Sequence, residues 1–151
     1  MIEVKNLSYQ IGDKPILRHI NMQARPGELL AIIGPNGAGK STLMKLLCGE
    51  VKSPRDSISL HGKTLSRYTL KELALMRAVL TQANEVSVDF SVQELVTMGR
   101  YPHFEVNPSI TDLEIIEAVL EEMGIQHFKD RSYHSLSGGE KQRAQLARVL
   151  A

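Results

Sequence analysis

The stretch Ala31-Ile32-Ile33-Gly34-Pro35-Asn36-Gly37-Ala38-Gly39-Lys40-Ser41-Thr42 constrains this chain more than any other part of it. Gly34 and Gly39, with four residues between them, are followed by Lys40 and Ser41, which is the spacing of a phosphate-binding loop. Glycines let the backbone curl until several N–H groups point at one anion. The same groups open a helix, whose aligned peptide dipoles favour negative charge at that end. Lys40 adds a mobile cation for outer phosphates, and the Ser41 hydroxyl is a hard oxygen ligand suited to Mg²⁺. The flanks agree with the motif. Residues 28–33 form a short apolar run suited to a buried strand, and residues 41–48 carry helical apolar spacing that ends at Gly49. A strand–loop–helix unit that binds a nucleoside triphosphate is the expectation.

Composition narrows what surrounds that unit. At 151 residues the chain is long enough for one ordinary domain with a real core, and 42% apolar with 23% charged residues is a globular balance. A net charge of +1 gives no reason to expect non-specific binding to nucleic acid or lipid. The longest aliphatic run, residues 29–33, is far too short to span a bilayer, and the N-terminus has no signal-peptide pattern. Cys48 is the single cysteine and is expected as a small core residue in a reducing compartment.

Residues 2–8 alternate as a half-buried strand, Gly12-Asp13-Lys14 reads as a turn, and residues 15–22 resume strand spacing, so the chain opens with an antiparallel hairpin. After a loop at residues 53–56, short strands are expected at 57–60 and 78–81, with an amphipathic helix at 69–76 between them. Ser91 and Glu94 suggest a capping box for a helix through Arg100, broken by Tyr101-Pro102-His103-Phe104. Thr111 and Glu114 suggest a second box for a helix over 111–123, with Leu113, Ile116 and Leu120 on one face and Gly124 as its stop. A last helix is expected from about Glu140. Residues 1–84 thus read as a β-rich nucleotide-binding core and residues 85–151 as a helical part.

Leu136-Ser137-Gly138-Gly139-Glu140 opens that last helix and offers a second anion site of the same kind, a Ser hydroxyl and Gly N–H groups at a helix N-terminus. Alone, Ser-Gly-Gly is a common turn; beside a phosphate loop it is specific. With Gln82 after its strand and Lys141-Gln142-Arg143 after the glycines, the whole chain resembles the ATP-binding subunit of an ABC transporter. The resemblance implies an α/β fold, the P-loop NTPase core of an ABC ATPase with an antiparallel β subdomain and a helical subdomain.

It also implies roles. N–H groups of residues 36–41 would wrap the β-phosphate of ATP, Lys40 would reach the β- and γ-phosphates, and Ser41 and Gln82 would ligate Mg²⁺, which places Lys40 and Gln82 nearest the chemistry. Ser137 and Gly139, with Gly138 between them, would face the γ-phosphate of ATP held by a second such subunit in a head-to-tail dimer. Membrane-spanning permease subunits are the implied partners, a substrate-binding protein an indirect one, and the inner face of the cell membrane the implied location. Residues 77–80 and 98–103 are similar to importers of iron chelates, and Arg131, Tyr133 and residues 145–151 lean towards haem importers.

Three departures from the family pattern stand out. Ile11 occupies the place of the aromatic that usually stacks on adenine, with Tyr9 two residues back, so adenine is expected on Ile11 with Tyr9 close by. Residues 55–57 lack the usual turn glycine. The sequence ends at Ala151, before the family's Asp-Glu strand and sensing histidine, which implies unpaired neighbours in the sheet and no general base for water. The alternatives left open are a truncated, catalytically inactive nucleotide-binding fragment and a soluble non-transport ATPase of the same superfamily.

Overall fold

The computed structural model describes residues 1–81 and 88–151, with Arg55 described by its backbone alone. The chain divides into two compact units, Met1–Leu70 and Lys71–Ala151. The domain boundary expected at residue 84 lies outside the described residues, as do Gln82 and Val86.

The first unit is built on the expected hairpin. Strands β1 (Ile2–Ile11) and β2 (Lys14–Ala24) pair antiparallel around the Gly12-Asp13 turn. Strands β3 (Ile58–Leu60) and β4 (Lys63–Thr64) extend the sheet to the order β2-β1-β3-β4. The pleat of β1 is interrupted: Val4 and Leu7 are both buried although three residues apart, and the register shifts between them. Asn6 (φ 47°) and the facing His19 (φ 50°) occupy the left-handed region, which re-aims the strand so that both apolar residues point inward. Side chains hold that bulge open. The Asn6 N–H donates to Asn21 Oδ1 at 2.8 Å, Asn21 Nδ2 donates to the His19 carbonyl at 3.0 Å, and the His19 N–H donates to Ser8 Oγ at 3.0 Å.

The expectation of a buried strand at residues 28–33 is not met. No strand forms there, and Leu29 and Ile33 are 99% and 92% exposed. A strand of this kind needs neighbours for both its rows of N–H and C=O groups, and β1–β4 pair only with one another. Residues 78–81 likewise form no strand. Cys48, expected in the core, is half-buried at the C-terminal end of helix α1 (Lys40–Leu47).

The second unit is helical. It holds α3 (Val92–Thr97), α4 (Ile110–Glu122) and α5 (Gly138–Leu150), after α2 (Leu70–Met76) at the junction. Its core joins Val92, Leu95 and Val96 to Ile116, Val119 and Leu120, and to Ile125, Tyr133, Leu136, Ala144 and Ala147. The Ser91–Glu94 capping box forms as expected. The helix it starts winds tighter after Thr97 into a 3₁₀ segment, Met98–His103, which contains Pro102, so the break comes at Phe104. Close packing accompanies that change: a Cβ on Gly99 would lie 2.1 Å from the Arg148 carbonyl oxygen.

Helix α4 starts one residue earlier than its expected first residue, and its box is Ser109–Asp112 rather than Thr111–Glu114. Ser109 wins because its partner serves twice. Asp112 Oδ2 accepts from the Ser109 N–H and hydroxyl, while Oδ1 accepts from Arg100 Nε and Nη2 at 2.9 and 2.8 Å. Arg100 Nη1 also donates to the Ala151 carbonyl at 2.8 Å, tying the segment after α3 to the ends of α4 and α5. The register change leaves Leu113 42% exposed while Val119 joins Ile116 and Leu120 inside.

Hydrogen bonds from Ser109, then Arg100, hold the Asp112 carboxyl down to about 2, against 3.8 ordinarily. A depressed carboxyl stabilises the fold in full above its unfolded pKa and loses that contribution as pH falls through its folded one. Melting temperatures of the chain and of Asp112→Asn should therefore differ most above about pH 4 and converge towards pH 2. A gap independent of pH over that window would contradict the clamp.

Candidate functional site

The phosphate loop shapes itself around one residue. Gly39 precedes α1 at φ 86°, and a Cβ there would meet Leu17 Cδ2 at 2.8 Å and the Ile16 carbonyl oxygen at 3.1 Å. Both the left-handed backbone and the close approach of β2 demand glycine. Gly37 is also left-handed, at φ 81°. Lys40 Nζ folds back and donates to the Gly34 and Pro35 carbonyls at 2.8 Å each, which steadies the loop and leaves the third ammonium proton for a ligand.

The first N–H groups of α1 have no intrahelical acceptor, as at any helix start. Elsewhere this chain satisfies such groups with side chains: α3, α4 and α5 each carry a Ser capping box whose third residue is acidic. Helix α1 has no side-chain cap and no acid in its first turn. Its positive end has no internal negative partner, Ser41 beside it is exposed, and such a helix start can accept an anion. The donors fit a nucleotide's phosphates, and a hydroxyl beside them fits a hydrated Mg²⁺.

Ile11 stands 59% exposed opposite Lys14 at the hairpin end. Tyr9 is half-buried, pairs with Leu17, and lines a groove of about 560 Å³ with Pro15, Leu17, Arg18 and His19, whereas Ile11 is not part of that lining.

The second motif lies in the other unit. Helix α5 begins at Gly138, two residues before the expected start, because Ser137 caps it. The Ser137 N–H donates to Glu140 Oε2 at 2.7 Å, and Ser137 Oγ accepts from the Glu140 N–H at 3.4 Å. Hydrogen bonds to the carboxylate from the Ser137 hydroxyl and then the Ser137 N–H, with Arg131 and Arg143 nearby, hold the Glu140 carboxyl below its usual range. Behind the turn, buried Gln145 Nε2 donates to the Tyr133 hydroxyl at 3.2 Å. Gly138 and Gly139 have no internal reason to be glycine. Neither takes a positive φ, and a Cβ on either would meet nothing within 4 Å. Two helical glycines cost about 1 kcal/mol each relative to alanine.

Residues 17–151 match the family model described as "ABC transporter". The chain belongs to the ABC transporter family. It is 46% identical over 150 residues to the hemin import ATP-binding protein HmuV of Pseudoalteromonas translucida, covering 99% of this chain and 58% of that protein. It is 44% identical over 151 residues to the protein of the same name from Gloeobacter violaceus, covering all of this chain and 55% of that one. The chain therefore spans little more than half the length of these relatives. Among solved structures, it is similar to cbiO1 from Clostridium perfringens, part of the cbiONQ ABC transporter complex, with 32% identity and a TM-score of 0.81, covering 99% of this chain and 60% of that one. It is also similar to a putative metal-chelate type ABC transporter in an inward-facing conformation, at 26% identity and TM-score 0.79, covering 99% and 54%. The ABC ATPase fold expected from the sequence is the fold observed, and domains of this family bind ATP.

The structure brings Gly34, Pro35, Asn36, Gly37, Ala38, Gly39, Lys40, Ser41 and Thr42 together in one loop and helix start, and Ser137, Gly138 and Gly139 in another. Three contributors escaped sequence reading: Leu17 and Ile16, which press on Gly39, and Glu140, which completes a box. The S-x-x-E spacing at Ser137 was available as the signal for the latter.

The two glycine sites should respond in opposite ways. Gly39→Ala should lower stability by more than about 1 kcal/mol, from strain and the Leu17 contact. Gly139→Ala should leave stability unchanged or raise it by up to about 1 kcal/mol. Urea denaturation of both variants checks this, and equal losses would contradict the difference in backbone strain and packing between the two positions.

Proposed function

We propose that this chain is the ATP-binding subunit of an ABC importer that takes up haem or an iron–siderophore. One observation carries the reading: α1 alone among the capped and uncapped helix starts α1, α3, α4 and α5 has neither a side-chain cap nor an acid, and Lys40 sits at it. The names of the relatives, hemin import ATP-binding proteins, support the cargo.

In this reading residues 1–84 are the nucleotide-binding core and 85–151 the helical subdomain. The N–H groups of residues 36–41 hold the β-phosphate, Lys40 adds its third N–H to the γ-phosphate, and adenine packs on Ile11 near Tyr9. Ser41 and Gln82 hold Mg²⁺, which when bound screens the phosphate charge. In a second copy placed head-to-tail, the Ser137 hydroxyl and the Gly138 and Gly139 N–H groups donate to the γ-phosphate, so that two copies enclose two ATP molecules. Closure of that pair is passed to permease subunits at the inner face of the membrane, with a substrate-binding protein delivering cargo outside. Among the described residues no helix is long and apolar enough to cross a membrane, which suits a peripheral subunit.

Tyr101, 57% exposed, packs edge-on against Phe104 at 5.6 Å beside Pro102, an aromatic pair suited to receive a permease helix.

Lys40→Ala removes a charge-assisted contact, and ATP affinity by calorimetry should fall at least about tenfold. Unchanged affinity in a folded variant would overturn the nucleotide site. Tyr101→Ala with Phe104→Ala should leave ATP binding intact and weaken co-purification with the permease. Normal co-purification, or a large drop in melting temperature, would instead make the pair a packing element.

A further inference from the structure

The two ends of a nucleotide meet different chemistry in the first unit. For the phosphate chain there are the N–H groups of residues 36–41 and Lys40, whose ammonium is steadied by the Gly34 and Pro35 carbonyls. Every nucleoside triphosphate carries the same phosphate chain, so these donors do not tell one base from another. Discrimination between bases therefore falls to the hairpin end. Ile11 stands there, 59% exposed and paired with Lys14. Its aliphatic side chain offers area but no hydrogen bond, and it lacks the π face on which a base stacks. Ser8, Gln10, Arg18 and His19 line the groove with Tyr9, and Ile11 is not part of that lining. Asp13 and Lys14 beside Ile11 are exposed, and neither side chain makes a hydrogen bond or ion pair among the described residues. An apolar contact separates similar ligands weakly, whereas a built set of hydrogen bonds rejects a ligand that leaves it unpaired.

We propose that this site selects a triphosphate and not a base: with Ile11 where the family pattern has an aromatic, ATP, GTP and CTP bind with nearly equal affinity. This rests on the reading of residues 36–41 as the phosphate holder and of Ile11 as the base contact. Ile11 is then the residue that sets nucleotide specificity, by what it leaves out.

The test is calorimetry on the complete gene product with ATP, GTP, CTP and inorganic tripolyphosphate, all in Mg²⁺ buffer. Ile11→Ala and Ile11→Tyr are measured beside the unaltered protein, each with a melting curve. The three nucleotides should bind the unaltered protein within about fivefold of one another. Ile11→Ala should weaken all three alike. Ile11→Tyr adds a π face at an exposed position and should tighten all three at least about fivefold, at unchanged melting temperature. Tripolyphosphate, which has no base, should bind and respond to neither variant. A preference of the unaltered protein for one base beyond about fivefold, or altered ratios in Ile11→Ala, would overturn the proposal. A Tyr variant that tightens no nucleotide, or a tripolyphosphate affinity that follows the Ile11 variants, would overturn Ile11 as the base contact and the proposal with it. Failure of tripolyphosphate and of every nucleotide to bind would instead overturn the phosphate site itself.

Discussion

The approach of β2 to the start of α1 is the contact on which the site depends. Gly39 has to be left-handed for the chain to turn from loop into helix, and Leu17 and the Ile16 carbonyl leave no space for a side chain there. That pinch aims the first N–H groups of α1 outward, and Lys40, bonded to Gly34 and Pro35, closes the loop from the other side. A loop built this way presents mostly backbone groups. They are held by geometry rather than by flexible side chains, so little ordering would remain to be done on binding an anion.

Helix starts divide this chain by role. Ser91, Ser109 and Ser137 each pair with an acid three residues on, which satisfies two backbone donors and places negative charge at the positive end of the helix. At α3 and α4 that is local stability, reinforced at α4 by the Arg100 clamp. At α5 the same device is followed by two glycines with open space around them. At α1 the device is absent: the helix start has neither a side-chain cap nor an acid in its first turn.

Much of this was legible in the sequence. The phosphate-loop spacing, the hairpin, the Ser91 box and the Gly124 stop all follow from local rules, and local rules hold wherever the partners are within a few residues. Non-local partners were not legible. Ser109 displaced Thr111 as the cap of α4 because Asp112 also meets Arg100, twelve residues earlier. Val4 and Leu7 share the core only because a bulge at Asn6 faces His19 across the hairpin. Residues 28–33 have the apolar run of a strand but no described strand beside them, and apolarity alone does not satisfy backbone groups.

The central claim is that the donors at residues 36–41 hold the phosphates of ATP. Two-dimensional amide NMR of the chain during a titration with Mg·ATP tests it most directly. The amide resonances of residues 36–41 should shift progressively with added nucleotide and more than those of any capped helix start. Resonances at 36–41 that hold still while others move would contradict the account.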